Sequence, residues 1–103
     1  MIGQWEVVDT GVKRKIHPPG NQLMMMEVEF EAGAVGALHY HHHEQYTYCI
    51  EGVFEFEVDG KKVKLQQGDT LYIPGGALHG VVAIEKGKLI DTFTPVREDL
   101  LDS

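Results

Sequence analysis

Apolar and polar residues alternate along most of this chain, and this period of two restricts the possible folds more than any other feature of the sequence. The segment MMMEVEF, residues 24–30, has apolar side chains at every second position and glutamates at two of the positions between them. Side chains two residues apart on a strand point to the same face, so this pattern predicts a half-buried β-strand. The same alternation in VFEFEV, residues 53–58, is followed by Asp59-Gly60, a pair that predicts a tight hairpin turn.

Turn-forming residues divide the rest of the chain into short segments. Clusters of Gly, Pro and Asn recur along it, for example in HPPGN at residues 17–21 and in PGG at residues 74–76. No segment has the pattern of a long helix, and REDLLDS at residues 97–103 is compatible with either a brief helical turn or a frayed tail. Eight or more short strands within 103 residues predict an all-β sandwich or closed barrel, built as a single domain over residues 1–103.

Charge and hydropathy argue against several classes of function. The formal net charge of −7 repels phosphate backbones, so we expect no nucleic-acid partner. No apolar run approaches the roughly 18 residues that a membrane span requires, so we expect no membrane association. The stretch MIGQWEVVDTG lacks the basic start and apolar run of a signal peptide, which favours the cytoplasm.

The single cysteine, Cys49, has no thiol partner in the chain and supports no intramolecular disulfide. It lies in the β-rich run TYCIEG, where the role of a small buried hydrophobe is commoner than that of a reactive thiol. We therefore expect Cys49 to be buried and do not assign it as a nucleophile.

Four of the six histidines fall in the ten-residue stretch GALHYHHHEQ. On a strand, His39 and His41 would share a face, inward if Ala37 also faces inward, and two imidazoles so spaced can bind one metal ion. Gln45 would face them across the intervening turn, and His79 follows a Pro-Gly-Gly turn that would fix its approach. The candidate metal ligands are therefore His39, His41, Gln45 and His79.

Other residues of the same stretch stay open as ligands. His42 and His43 fall in the expected turn, where exposure to solvent is the commoner outcome, but a slip of register would put His43 in place of His41. Glu44 offers a carboxylate with the wrong parity to share a face with Gln45. We expect His42, His43 and Glu44 to face solvent.

The spacing of these residues resembles the two sequence motifs of the cupin superfamily. The stretch from Gly33 to Gly52 has the form G-x5-H-Y-H-x3-Q-x6-G, which is similar to the first motif, and the stretch from Gly68 to His79 has the form G-x5-P-G-G-x2-H, which is similar to the second. The resemblance implies a small jelly-roll β-barrel, the double-stranded β-helix, that binds one divalent transition metal. Zn, Ni, Mn and Fe stay open, since all accept imidazole.

Two positions depart from the cupin pattern. Gln45 stands where the first motif usually has glutamate, and Ala83 stands where the second usually has asparagine. With three neutral imidazoles and a neutral amide, the full charge of a divalent ion is uncompensated, whereas a carboxylate would cancel half of it. We therefore expect a stronger Lewis acid that attracts an anionic ligand.

The segment KLIDTFTPVRED, residues 88–99, resembles the tail of the small cupins of pectin and alginate breakdown, which assist conversion of 4,5-unsaturated uronates to linear keto forms. The likeness extends over residues 23–99. It implies that Asp91 moves a proton, that Phe93 packs against the sugar ring and that Arg97 binds the substrate carboxylate. The ordinary alternatives are a strand-end polar residue, a core aromatic and a surface ion pair, respectively.

The resemblance therefore implies a metal-dependent enzyme of the isomerase or tautomerase type that acts on an anionic sugar fragment, an unsaturated monouronate. Two other classes stay open: a metal-dependent cupin that binds a sugar or other small molecule without turnover, and a metal-dependent oxygenase. Homodimers are common among cupins, and Trp5 with the N-terminal strand could cover a sheet edge in such a dimer.

Overall fold

The computed structural model describes residues 1–101, which contain ten β-strands and one short helix. The strands are β1 (Trp5–Asp9), β2 (Val12–Ile16), β3 (Met24–Phe30), β4 (Val35–His39), β5 (Glu44–Glu51), β6 (Val53–Val58), β7 (Lys61–Gln66), β8 (Thr70–Ile73), β9 (His79–Ala83) and β10 (Gly87–Thr94). The helix is α1 (Glu98–Leu101), so the described part of REDLLDS ends in a helical turn. Residues 102 and 103, the end of that segment, lie outside the described residues.

The strands form two antiparallel sheets around one apolar core. The larger sheet has the strand order β1-β2-β3-β10-β5-β8, and the smaller sheet has the order β4-β9-β6-β7. Buried side chains from both sheets meet between them, and the rings of Phe30 and Phe54 pack edge to face with centroids 5.3 Å apart. The predicted all-β class is therefore confirmed.

The alternating segments form the strands that their pattern predicts. In β3 every second side chain is buried, and these are Met24, Met26, Val28 and Phe30. In the hairpin that joins β6 to β7, the two central residues Asp59 and Gly60 have φ angles of 48° and 82°. Two positive φ angles in succession are what the tightest hairpin turn requires, and the Asp-Gly pair supplies them.

Strand β4 departs from simple alternation, and this departure positions a candidate metal ligand. Its ladder with β9 pairs Gly36 with Val81 and His39 with His79, so two residues of β4 stand opposite one residue of β9. Such a bulge shifts the parity of a strand by one residue. Gly36 and His39 consequently line the same cavity, and Ala37 is not among the residues that line it. The prediction tied the inward direction of His39 to that of Ala37, and the bulge removes this link because it changes the parity of the strand between Gly36 and His39.

Two expectations from composition also concern the fold. Cys49 in β5 is fully buried, as expected, and burial raises the pKa of its thiol above the usual range. The buried thiol therefore packs as a small apolar group. Within residues 1–101, no helix has both the length and the apolar character to cross a membrane.

Candidate metal centre

Three histidines from different segments bring their imidazole rings together. His39 is the last residue of β4 and His79 is the first residue of β9. The sequence predicted His41 on a strand, but it lies in the loop after β4. One ring nitrogen of each lies within 4.8 Å of those of the other two. The ring centroids are 4.4 Å apart for His39 and His79, and 5.0 Å apart for His41 and His79. His79 is buried and His39 is exposed, so the group is open to solvent on the side of His39.

A backbone carbonyl group fixes the orientation of each imidazole. Nδ1 of His39 lies 2.9 Å from the backbone oxygen of Ala37. Nδ1 of His41 lies 3.0 Å from the backbone oxygen of His43, and Nδ1 of His79 lies 2.9 Å from that of Ala77. A carbonyl oxygen only accepts, so each Nδ1 donates and each neutral ring keeps its lone pair on Nε2. Nε2 of both His41 and His79 is buried and has no hydrogen-bond partner among residues 1–101. This is the arrangement in which a protein presents imidazole to a metal.

The loop that carries His41 packs against the turn that precedes His79. The backbone N–H of Gly76 donates to the backbone oxygen of His41 at 2.8 Å. A Cβ atom on Gly75 would lie 2.3 Å from the backbone oxygen of His42, so a side chain at this position would collide with the loop. The Pro-Gly-Gly turn therefore positions both His41 and His79, and it needs glycine to approach so closely.

Gln45 lies near the start of β5, is buried, and lines the same cavity as His39 and His79. Its Nε2 donates to Oγ1 of Thr47 at 2.9 Å, and Oγ1 of Thr47 donates to Oδ1 of Asp91 at 2.7 Å. The amide nitrogen is thereby occupied, which leaves the amide oxygen for a metal ion. Sequence reasoning missed Thr47, although its position two residues after Gln45 on the same strand face could have indicated it.

Asp91 lies in the middle of β10 and is buried, so it is not the strand-end polar residue of the alternative reading. Burial raises the pKa of its carboxyl group to about 6, although hydrogen bonds with Thr47 and Gln45 and the charge of Arg97 act in the opposite direction. A carboxyl group with a pKa close to neutrality can both accept and release a proton under ordinary conditions. Asp91 is therefore a candidate acid–base group.

Phe93 and Arg97 lie on the wall of a cavity of about 240 Å³, which His39, Gln45, His79 and Asp91 also line. Phe93 is only 2% exposed, so it also belongs to the apolar core. The guanidinium carbon of Arg97 is 5.2 Å from the centroid of the Phe93 ring, and Nη2 of Arg97 is 2.7 Å from Oδ2 of Asp99. Arg97 thus forms an ion pair, as the alternative interpretation of this residue predicted, and it also lines the cavity.

A larger recess of about 400 Å³ lies elsewhere on the surface, around Gly11 and Gly87. Its lining includes Lys13 and Glu29, which form an ion pair at 3.3 Å. It contains none of the candidate ligands, and its charged groups come in both signs. The smaller cavity with the histidines is therefore the better candidate for a functional site.

The rest of the histidine-rich stretch differs in part from expectation. His43 was predicted to face solvent, but it is buried, with its ring 3.9 Å from that of His42 between centroids. This prediction was wrong because residues distant in sequence, around Val96 and Arg97, lie close to the His43 ring. His43 does not belong to the group of converging ring nitrogens, so it does not replace His41 there. His42 and Glu44 are exposed, as expected.

Electrostatics favour the neutral imidazoles that metal binding requires. The pKa of His41 is lowered to about 4, first by burial and then by the nearby charge of Arg97. Burial likewise lowers the pKa of His79. Both shifts favour the unprotonated ring, which keeps a lone pair free for a metal. Together with the unpartnered Nε2 atoms, this means that the residues present fit a divalent transition metal.

Comparison with known proteins gives matches over most of the chain. Residues 26–93 match a family model described as a cupin domain. The chain is also 43% identical over 99 residues to the pectin degradation protein KdgF of Dickeya dadantii, and the match covers 94% of this chain and 90% of that protein.

Two solved structures have a similar fold over nearly the same span. KdgF from Halomonas sp. has a TM-score of 0.89 at 40% identity, covering 94% of this chain and 90% of that one. An RmlC-like cupin from Shewanella frigidimarina has a TM-score of 0.90 at 39% identity, covering 95% of this chain and 88% of that one.

Proposed function

This chain belongs to the cupin family, and on that premise we propose that it is a metal-dependent enzyme of pectin or alginate breakdown that assists ring opening and ketonisation of 4,5-unsaturated monouronates. The observation that carries the proposal is the gathering of oriented imidazoles, a buried carboxyl group and a guanidinium group around one cavity. The similarity to a protein named for pectin degradation supports the same substrate class.

In this proposal His39, His41, Gln45 and His79 hold one divalent transition metal, and Zn, Ni, Mn and Fe all suit such a set. The metal supplies Lewis acidity toward the sugar oxygens when bound. None of the four side chains carries a negative charge in its metal-binding form, so an anionic substrate is not repelled by the ligands. An anion is therefore favoured at this site even though the chain as a whole has a net charge of −7.

Asp91 is the proposed acid–base group. In the reaction one proton leaves an oxygen and one arrives at carbon, so substrate and product are isomers and no oxidant or reductant is consumed. A carboxyl group with a pKa of about 6 can take the first proton and deliver the second. The hydroxyl of Thr47 holds the carboxyl group on the cavity wall.

Arg97 is the proposed partner of the substrate carboxylate, because its planar guanidinium group can bind carboxylate with two parallel hydrogen bonds. Asp99 accepts from Nε and Nη2 of Arg97, and it thereby orients the group and leaves the remaining N–H groups for a ligand. Phe93 provides an apolar wall beside the guanidinium for the sugar ring.

The decisive test is the ultraviolet absorbance of the unsaturated uronate, followed with and without the protein. We expect the absorbance to disappear faster than in the spontaneous reaction, and removal of the metal with a chelator to abolish the difference. A cupin that only binds its ligand would leave the rate at the spontaneous value. An oxygenase would consume oxygen during turnover, so an oxygen electrode separates that class.

Three further features belong to the proposal. We propose that residues 1–103 form a single cupin domain, that the protein acts in the cytoplasm, and that it forms a homodimer. The dimer is supported by large exposed side chains on the larger sheet, which are Trp5, Tyr46, Tyr48 and Tyr72. Light scattering after gel filtration measures the mass: 11.5 kDa would contradict the dimer and about twice that mass supports it.

A further inference from the structure

We propose that Thr47 is a positioning residue that acts together with Asp91 to fix which end of the Gln45 amide faces the metal. This inference rests on the metal centre of the proposed function and adds to it Thr47, which is not among the residues that line the cavity. The amide oxygen can bind a metal ion, whereas the amide nitrogen carries only N–H donors and cannot. The two ends have nearly the same shape, so before a metal binds, hydrogen bonds determine which one points into the site.

The hydrogen-bonding capacity of the threonine hydroxyl leaves one orientation. A hydroxyl group has one proton to donate, and Thr47 donates it to Oδ1 of Asp91 at 2.7 Å. Toward Gln45 the same oxygen can then only accept, so the NH₂ end of the amide must face it, at 2.9 Å. The amide oxygen is consequently turned away from Thr47, and Gln45 lines the same cavity as His39 and His79.

The surroundings of Thr47 restrict its side-chain conformation and exclude water from these hydrogen bonds. The side chain is fully buried, and Gln45 is only 6% exposed, so water cannot easily replace the hydroxyl. Thr47 is the direct cross-strand partner of Asp91 in the β5–β10 ladder, which sets the distance between hydroxyl and carboxyl. A β-branched side chain on a strand also has few χ1 rotamers, so its hydroxyl points in a fixed direction.

Thr47→Val tests the inference because valine keeps the shape and removes the hydroxyl. The probe is Zn²⁺ alone, titrated into metal-stripped protein in competition with a chelator. We expect the Zn²⁺ affinity to fall by about 10- to 100-fold, the range found when partners that orient metal ligands are lost. Thr47→Ser, which retains the hydroxyl, should bind Zn²⁺ within about threefold of the unchanged protein. Equal Zn²⁺ affinity for Thr47→Val and the unchanged protein would overturn the inference.

A double-mutant cycle separates orientation from general damage. In a Gln45→Glu background both ends of the side chain are oxygens, so loss of the Thr47 hydroxyl should cost less than about threefold in Zn²⁺ affinity. An equal loss in both backgrounds would mean that Thr47 acts through packing and would contradict the inference. If Thr47→Val does not fold, Thr47→Ala repeats the cycle without the added methyl group.

Thr92→Val is the matched control, because its hydroxyl donates to the backbone oxygen of Tyr46 on the outer side of the same sheet. We expect it to leave Zn²⁺ affinity unchanged. Failure of the proposed metal centre is distinguishable from failure of this inference. If the metal centre is wrong, the wild-type protein would not bind one Zn²⁺ per chain. If only the inference is wrong, the wild-type protein would bind Zn²⁺ normally and Thr47→Val would have no effect.

Discussion

His39 and His79 occupy directly opposed positions in the ladder between β4 and β9, and their imidazole centroids lie 4.4 Å apart. The backbone hydrogen bonds of the sheet therefore bring two candidate ligands together. Because Nδ1 of each ring is also bonded to a carbonyl oxygen, little rotational freedom remains to be lost when an ion binds. The third imidazole belongs to His41, which lies in a loop. Its neighbour His42 provides a matched control for its removal.

Replacement of His41 by alanine should abolish tight metal binding, whereas replacement of its neighbour His42 should not. His41 has a buried, unpartnered Nε2 in the converging group, while His42 is exposed. We expect a loss of more than about 100-fold in Zn²⁺ affinity for His41→Ala, since orienting partners alone contribute about 10- to 100-fold. Titration of both metal-stripped variants measures this. A larger effect at His42 would mean that the ligand set is assigned wrongly.

Gln45→Glu should strengthen metal binding and weaken the binding of an anion to the metal-loaded protein. The added carboxylate cancels part of the ion's charge and repels the substrate carboxylate. We expect uronate to bind about 10-fold more weakly, which corresponds to about 1.4 kcal/mol. The measurement is calorimetric titration with galacturonate and with galactose, both at saturating metal. If the neutral sugar loses as much affinity as the uronate, the charge argument fails.

Arg97→Ala should weaken binding of galacturonate more than binding of galactose, because only the uronate offers a carboxylate to the guanidinium group. We expect a loss of about 10-fold or more for the uronate and less than about twofold for the neutral sugar. Lys62→Ala removes the same unit of charge from an exposed residue paired with Glu55 and serves as the control. Equal losses for both sugars would remove the carboxylate-binding role from Arg97.

The stability of the metal-free protein should fall relative to Asp91→Asn as the pH rises from about 4 to about 7. Burial raises the pKa of folded Asp91 from 3.8 to about 6, so in this window the folded state binds more protons than the unfolded state. Stability contributed by the protonated form is therefore lost as the pH rises through the folded pKa. The shift corresponds to a change on the order of 2–3 kcal/mol in the difference between the two proteins. Urea denaturation at several pH values measures it, and a difference independent of pH would contradict the assignment.

Gly75→Ala should destabilise the protein and loosen the metal site. The new methyl group would meet the backbone oxygen of His42 at 2.3 Å, and backbone cannot move aside as easily as a side chain. We expect a decrease of about 1–3 kcal/mol in the free energy of unfolding. Gly20→Ala is the control, because there the nearest atom is 3.3 Å away. If the two variants are equally stable in urea, the close approach of turn and loop is not structurally required.

The fold was predictable from the sequence because its signals are local. Alternation over residues 24–30 depends only on which side chains can be buried on one face of a strand, and the turn at Asp59-Gly60 depends only on local φ preferences. The spacing of His39, Gln45 and His79 likewise indicated which residues meet at the cavity, although their role as ligands stays a prediction.

The features that the sequence did not reveal arise from contacts between distant segments. The bond from Thr47 to Asp91 joins residues 44 positions apart and requires the register of β5 against β10. His43 is buried close to residues around Val96 and Arg97, and no pattern near His43 in the sequence indicates that proximity. The bulge in β4 is visible only against its partner β9.

The bulge in β4 also limits how this centre could be moved to another protein. A grafted set of four ligands at the right spacing would still fail on an unbroken strand, because His39 would then point away from His79. Deletion of Ala37 alone would leave every ligand in the chain and yet turn His39 outward. A transfer of the site to another protein would therefore need the extra residue of the bulge as well as the four side chains. A strand that received only the side chains would not bind the metal.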